Sequence, residues 1–235
     1  MNELKMKTIG LLGGMSWESS DIYYQQLNRK IQQSYGGLHS AKVILSSVDF
    51  HEIEQLQREN RWEEAGQYLA QLAMQLELAG AEVIALCTNT MHKVAEQIES
   101  AVQVPFLHIV DATTQVIKKQ NIQCVGLLGT AFTMQQDFYK ARFIAQGIEV
   151  LTPTLADQMI VHDVIYQELC RGKINASSKH EYLRIIQTML QQGAEGIILG
   201  CTEIGLLIQQ QDLQVPIFDT THIHVDALVE FSLSN

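Results

Sequence analysis

The sequence predicts an α/β protein made of two similar α/β domains, each with a mostly parallel sheet flanked by helices. Three observations predict this fold: an internal duplication, an alternation of short apolar runs with longer amphipathic ones, and a composition that can fill a core. The 235 residues are 46% hydrophobic and 18% charged, with 15 glycines and 3 prolines. A chain of this length and apolar content can bury a sizeable core without disulfides.

The duplication consists of four blocks that recur in the same order. The matching pairs are 8–13 with 124–129, 21–23 with 137–139, 80–88 with 193–202, and 104–106 with 215–217. Halves of about 110 residues have the size of a domain, and the period is too long for a solenoid. We therefore predict an N-terminal domain at 1–112, joined by a C-terminal helix at 222–235, and a second domain at 113–221.

The elements of each half follow from hydrophobic periodicity. In the first half, short apolar runs at 8–12, 43–48, 83–86 and 106–110 predict buried parallel strands. Between them, residues 62–79 carry apolar side chains at helical spacing, and Gly80 is placed to end the helix. The second half repeats this pattern, with a helix ending at Gly193 and a strand at 197–199. The last segment, 222–233, is also predicted to be helical.

Charge and cysteine content exclude several classes of protein. The net charge is 16 − 26 = −10 and the pI is about 5.2, which disfavours nucleic acid and anionic membrane surfaces as partners. The apolar stretch near the N-terminus is too short for a signal peptide, and nothing approaches the ~20 apolar residues of a membrane span. Four cysteines are too few for a disulfide scaffold. We expect a cytoplasmic protein with reduced thiols.

One cysteine follows a predicted strand at equivalent places in the two halves. Cys87 comes after the strand at 83–86, and Cys201 follows the strand at 197–199. Ligands of parallel α/β sheets bind beyond the carboxyl ends of the strands. A helix is expected to begin just after each cysteine, and its dipole is expected to lower the thiol pKa. The cap-forming residues beside the cysteines could equally hold a carboxylate; they are Thr88, Asn89, Thr90 and Thr202.

A buried cysteine is more often a packing residue than a nucleophile, and we interpret Cys124 and Cys170 in that way. The matched placement of Cys87 and Cys201 favours a catalytic pair instead, because packing alone does not explain it. Inversion of a carbon centre needs a base on one face and an acid on the other, and one thiolate with one thiol supplies both.

The motifs around these cysteines resemble those of the aspartate/glutamate racemase family. They are residues 87–90 (CTNT), 200–203 (GCTE) and the opening 10–15 (GLLGGM), and the resemblance covers nearly the whole chain. It is nearest to the aspartate racemase and broad-specificity amino-acid racemase branch. The resemblance implies a cofactor-independent racemase, commonly a homodimer, with its site in the cleft between two pseudo-symmetric domains. Cys87 and Cys201 would be the acid/base residues. The substrate-binding residues would be Met15, Thr88, Asn89, Thr90, Thr130 and Thr202.

Substrate preference is predicted from two windows where family members selective for acidic substrates place a basic side chain. Residues 47–53 and 156–161 contain no Lys or Arg, but they do contain Asp49, Glu52 and Asp157. An acidic substrate beside these carboxylates would be disfavoured unless His51 compensates. We therefore favour a neutral or broad range of amino acids. The alternatives are an aspartate or glutamate racemase, a hydantoin or maleate isomerase, and a non-catalytic amino-acid-binding regulatory protein.

Other polar residues give weaker signals. Glu203 could hold the substrate ammonium or favour a helix N-terminus, and the sequence does not separate these roles. His92 could modulate Cys87 or lie on a helix surface. His222 and His224, near Asp226, have a spacing that does not suit a metal site, and we predict no metal ligands.

Overall fold

The computed structural model describes residues 6–234, which form two compact units. One unit contains the chain up to Ile109 together with the segment from His224 onwards, and the other is Val110–Ile223. Each unit contains one sheet whose strands pair only in parallel. The predicted class, a mixed α/β fold with parallel sheets and helices around them, is confirmed.

The first unit contains a three-stranded sheet in the order β2-β1-β3. Its elements are β1 (Ile9–Gly13), α1 (Trp17–Tyr35), β2 (Val43–Ser47), α2 (Phe50–Arg58), α3 (Trp62–Leu78), β3 (Val83–Leu86), a 3₁₀ turn (Thr90–Val94) and α4 (Ala95–Ala101). The central strand β1 is fully buried, as is β3 beside it.

The second unit contains a four-stranded sheet in the order β5-β4-β6-β7. Its elements begin with α5 (Ile109–Lys119), β4 (Cys124–Gly129), α6 (Ala131–Gln135), α7 (Asp137–Ile144), β5 (Glu149–Leu151) and α8 (Leu155–Gln167). They continue with a 3₁₀ turn (Leu169–Arg171), α9 (Ala176–Gln191), β6 (Gly196–Gly200), two 3₁₀ turns (Thr202–Leu206 and Gln210–Asp212) and β7 (Ile217–Asp219). The last helix, α10 (Thr220–Leu233), begins in this unit, and its residues from His224 onwards belong to the first unit.

The two sheets confirm the duplication that the sequence predicts. In each unit the first strand is paired on one side with the second strand and on the other side with the third. The repeated Gly-Ala-Glu motif also has the same structural use in both. Glu82 accepts the backbone N–H of Thr8 at 2.7 Å, and Glu195 accepts that of Cys124 at 3.1 Å, so each carboxylate tethers the start of the central strand.

Apolar side chains cover both faces of the first unit's sheet, as a parallel sheet requires. On one face Leu12 and Ile84 belong to a cluster with Leu69 of α3. On the other face Leu11 belongs to a cluster with Leu27 of α1 and with residues of α10, among them Val225 and Leu228. The C-terminal helix therefore completes the core of the first unit.

Three predicted helices are confirmed as α3, α9 and α10. Gly80 and Gly193 follow two of them with φ of 99° and 109°, a conformation that favours glycine. The predicted strand at 106–110 is wrong, because only Phe106 forms an isolated bridge, to Ile84, and α5 begins at Ile109. The chain leaves the sheet after two backbone bonds and turns into a helix.

Within residues 6–234, no helix is both long enough and apolar enough to cross a bilayer.

Candidate active site

Cys87 is the first residue after β3 and is completely buried. Its backbone N–H donates to the carbonyl of Leu12 at 2.9 Å, which extends the pairing of β1 with β3 by one residue. Its carbonyl accepts the hydroxyl of Ser19 at 2.7 Å, inside the protein. These two bonds tie Cys87 to the end of β1 and to the first turn of α1.

The turn between β1 and α1 lies beside Cys87 and is fixed by close packing. A Cβ at Gly14, which has a φ of 89°, would lie 2.2 Å from the carbonyl oxygen of Val48, so only glycine fits. The Gly14 N–H donates to the hydroxyl of Ser20 at 2.8 Å. The side chain of Met15, predicted to line a pocket, packs in the apolar cluster that also contains Met91.

The turn after Cys87 contains Thr88, Asn89 and Thr90, of which the last two are buried. His92 is also buried, contrary to a surface position, and its Nδ1–H donates to the carbonyl of Thr88 at 2.8 Å. Its Nε2 accepts the backbone N–H of Ile109 at 3.2 Å. These bonds require the neutral Nδ1–H tautomer and hold the turn that carries Cys87.

Cys201 is the first residue after β6 and is partly exposed. Its thiol donates to Oε2 of Glu203 at 3.0 Å. Glu203 is itself buried, so a carboxylate lies against the thiol in a setting with little water. The sequence suggested that Glu203 holds the substrate ammonium or favours a helix N-terminus. Its contact with the Cys201 thiol belongs to neither of these roles.

Both thiols have raised pKa values, and the expectation of lowered values is wrong. Burial raises the pKa of Cys87. Burial raises the pKa of Cys201 as well, and the Glu203 carboxylate raises it further because it repels a thiolate and accepts the S–H. The turns after the cysteines are short 3₁₀ segments, Thr90–Val94 and Thr202–Leu206, whose dipole is too small to offset burial.

Thr130 and Cys201 are neighbours at the carboxyl ends of two paired strands in the second sheet. Gly129 and Gly200 are register partners in β4 and β6, and the two residues come directly after them. Thr130 caps α6 by accepting the Thr133 N–H at 3.4 Å. Thr202 accepts the hydroxyl of Thr221 at 3.3 Å.

The two specificity windows contain carboxylates that already have partners. Asp49 caps α2 by accepting the His51 N–H at 3.0 Å. Asp157 forms an ion pair with Arg184 of α9 at 2.5 Å, and this pair lowers the pKa of the Asp157 carboxyl. The window 156–161 contains no basic residue, but the fold brings Arg184 to it. Sequence reasoning missed Arg184 because it lies 27 residues away on another helix.

His222 and His224 have separate partners. His222 is exposed and pairs with Asp219 at 2.9 Å, whereas His224 is buried and accepts the Tyr23 hydroxyl at 2.7 Å. Across residues 6–234, no group of three or more His, Cys, Asp or Glu side chains is arranged to hold a metal ion. All four cysteines are free thiols.

Comparison with known proteins identifies relatives of the whole chain. A sequence model of the Asp/Glu/hydantoin racemase family matches residues 12–228. A candidate Asp/Glu racemase from Yersinia pestis is 53% identical and superimposes with a TM-score of 0.93, over 97% of this chain and 100% of that one. An aspartate racemase homologue from Pyrococcus horikoshii OT3 is 35% identical, with a TM-score of 0.87 over the same shares.

A third relative is named for its broad substrate specificity. The broad specificity amino-acid racemase RacX of Bacillus subtilis (strain 168) is 25% identical over 91% of this chain and 92% of its own. The family match, the relatives and the fold together classify the protein as an isomerase of the racemase type. The chain belongs to the Asp/Glu/hydantoin racemase family.

Proposed function

We propose that the protein racemises free amino acids at the α-carbon by a two-base mechanism in which Cys87 and Cys201 act on opposite faces of that carbon. One observation carries the proposal. In each unit a cysteine is the first residue after an equivalent strand, β3 or β6, which follows the repeated Gly-Ala-Glu motif and pairs with the central strand of its sheet. Two thiols in register across a duplication match the chemistry of inversion, which needs one acid and one base.

In one direction, a thiolate removes the α-proton, the C–H bond breaks and an S–H bond forms. The electron pair remains on the α-carbon and spreads into the carboxylate. The other thiol then donates its proton to the opposite face, and the two cysteines exchange roles in the reverse reaction. The scheme uses no cofactor. Thr88, Asn89, Thr90, Thr130 and Thr202 are proposed to bind the substrate carboxylate, with Met15 lining the site.

The raised pKa values mean that both cysteines rest as thiols near neutral pH. One of them must therefore lose a proton before turnover. For Cys201 the acceptor is already in contact, since its S–H donates to Glu203 at 3.0 Å. We propose that Glu203 takes this proton and that the substrate ammonium, bound nearby, stabilises the resulting thiolate.

We propose a broad or non-acidic range of amino acids as substrates, and the name of the Bacillus subtilis relative supports the broad range. Aspartate is the second candidate. The ion pair of Asp157 with Arg184 neutralises one of the carboxylates that argued against an acidic substrate, and the Pyrococcus horikoshii relative is an aspartate racemase homologue. Relative rates with aspartate, glutamate and neutral amino acids decide between them.

The test is a racemisation panel of the L-amino acids, followed by chiral chromatography, with single alanine variants of all four cysteines. Cys87→Ala and Cys201→Ala should each lower kcat by roughly 10²–10⁴-fold, the usual contribution of a positioned acid or base. Cys124→Ala is the control and should stay within about twofold, as expected of a change away from the chemistry. Cys170 lies close enough to raise the pKa of the Cys201 thiol, so its variant reports on the surroundings of Cys201 and is not a control.

Three outcomes would contradict the proposed mechanism or the proposed function. Normal racemisation by Cys87→Ala or Cys201→Ala would contradict the two-base scheme. Binding of an amino acid that survives loss of both thiols, without turnover by the unmodified protein, would indicate a binding protein. A covalent adduct on Cys87 after incubation with maleate, seen by mass spectrometry, would favour a maleate isomerase.

A further inference from the structure

His162 is a histidine near the second cysteine that the sequence motifs do not include. It lies in α8, and its Nδ1 is 3.2 Å from the backbone nitrogen of Ala131, the first residue of α6. Ala131 directly follows Thr130 at the end of β4. The imidazole therefore lies at the carboxyl end of the central strand of the second sheet.

The contact with Ala131 determines the protonation state of the ring. A backbone N–H can only donate, so Nδ1 of His162 must be the unprotonated acceptor. A neutral ring with a bare Nδ1 carries its proton on Nε2. Partial burial lowers the pKa of His162, which favours this neutral form near pH 7.

The opposite edge of the ring has a free donor. Nε2 of His162 has no hydrogen-bond partner among residues 6–234, and the side chain is partly exposed. The ring packs against Tyr166, with centroids 4.7 Å apart, which restricts its orientation. A held, neutral N–H donor that can reach solvent is suited to a ligand oxygen.

Within the second unit, one contact relates His162 to Cys201 and another holds the helix that carries the histidine. Gly129 and Gly200 are register partners, so the residues after β4 and β6 are neighbours. Ala131, which donates its N–H to His162, lies two residues after Gly129, and Cys201 lies one residue after Gly200. Tyr182 of α9 donates its hydroxyl to the carbonyl of Val161, the residue before His162, at 2.9 Å. This second bond fixes the segment of α8 that carries the histidine.

We infer that His162 is a substrate-binding residue whose Nε2–H donates a hydrogen bond to the carboxylate of the amino acid, beside Thr130. The inference rests on the proposed function and adds a residue to its site. Because the carboxylate is present both in the bound substrate and in the transition state, the bond contributes to binding throughout the reaction. Its loss should therefore raise KM, with a smaller fall in kcat because the carboxylate gains negative charge as the α-proton leaves.

The test compares two substitutions that each keep one half of the imidazole. In His162→Asn the amide oxygen is placed to accept the Ala131 N–H, but the distal donor is lost. In His162→Gln the longer amide places an N–H close to the position of Nε2. Against the amino acid turned over fastest in the panel, His162→Asn should raise KM by about tenfold or more with kcat within about threefold, since bonds to charged groups are strong. His162→Gln should recover part of that loss.

The control is His180→Asn, an exposed histidine of α9, which should leave both constants unchanged. An unchanged KM in folded His162→Asn would overturn the inference while leaving the racemase proposal intact. An unmodified protein without turnover would instead overturn the proposed function.

Nitrogen NMR of the unmodified protein provides a second measurement that does not depend on a variant's folding. His162 should show the Nε2–H tautomer at pH 7.5, and the Nδ1–H tautomer or a charged ring would contradict the inference.

Discussion

The backbone around Cys87 is held by hydrogen bonds from two side chains outside its motif. Cys87 has its carbonyl bound by Ser19, 68 residues away, and the following carbonyl of Thr88 is bound by His92. A buried carbonyl that loses its donor keeps the cost of leaving water without the compensating bond. Two side chains outside the motif, Ser19 and His92, therefore hold the backbone that carries the Cys87 thiol.

Ser19→Ala should lower the free energy of unfolding by about 1–3 kcal/mol, because it leaves the buried Cys87 carbonyl without this donor. Urea unfolding followed by tryptophan fluorescence measures the change, since Trp17 and Trp62 both lie in the first unit. Ser34→Ala removes a similar bond to a backbone carbonyl on the exposed face of the same helix and should cost less than ~0.5 kcal/mol. Equal effects of the two changes would contradict this account.

Glu203→Gln should make Cys201 easier to deprotonate, because it removes the carboxylate charge that raises the pKa of this thiol. Iodoacetamide alkylation of Cys201 at pH 8, measured by peptide mass spectrometry, should then be faster by roughly threefold or more. Glu149→Gln changes an exposed acid of the same unit and should leave the rate unaltered. A slower reaction in Glu203→Gln would show that the carboxylate does not disfavour the thiolate.

At the scale of the elements, short strands and the helices between them were predictable because their signals are local. Apolar runs located β1, β2, β3 and β6, and glycines after α3 and α9 marked where those helices end. The prediction of a strand at 106–110 was wrong because an apolar stretch fits a buried helix as well as a strand, and here α5 begins within it. The prediction of lowered thiol pKa values was wrong because burial, which raises them, depends on the packing around each turn.

Gly80→Ala should destabilise the first unit by about 1 kcal/mol, since φ is 99° and a Cβ would meet nothing within 4 Å. The cost is therefore that of the backbone conformation alone. Gly80→Asn should cost less, because Asn tolerates positive φ better than Ala does. Tryptophan-monitored urea unfolding gives both values, and a stabilising Gly80→Ala would contradict the end assigned to α3.

The attachment of α10 to the first unit should depend on pH through His224. Burial lowers its pKa from about 6.5 to about 4, and its ring bonds Tyr23 and the carbonyl of Leu107. Between these pH values the unfolded chain binds a proton that the folded protein does not. Stability present above pH 6.5 is therefore lost as the pH falls towards 4, by up to ~3 kcal/mol.

His224→Gln cannot titrate and should lose this share of the pH dependence, seen by comparing urea midpoints at pH 7 and pH 4.5. His222→Gln, two residues away and exposed, should keep the dependence of the unmodified protein. An identical pH dependence in His224→Gln would exclude His224 as its source.

For the whole molecule, the duplication was the most informative feature of the sequence. It predicted two similar α/β halves, each with a mostly parallel sheet, and it separated Cys87 and Cys201 from the two other cysteines. Contacts across helices could not be predicted, because they depend on how helices pack. Arg184 with Asp157 and His162 with Ala131 join residues 27 and 31 positions apart without any motif.

The most direct test of the two-base proposal is the isotope content of both enantiomers early in a reaction in deuterated water. Starting from one enantiomer, each conversion should place solvent deuterium on the product, because the donating thiol has exchanged with water, while the recovered substrate keeps its protium. Mass spectrometry after chiral separation measures both pools at a few per cent conversion. Protium retained in the product, or equal deuterium in the two enantiomers, would show that a single base serves both faces and would contradict paired action of Cys87 and Cys201.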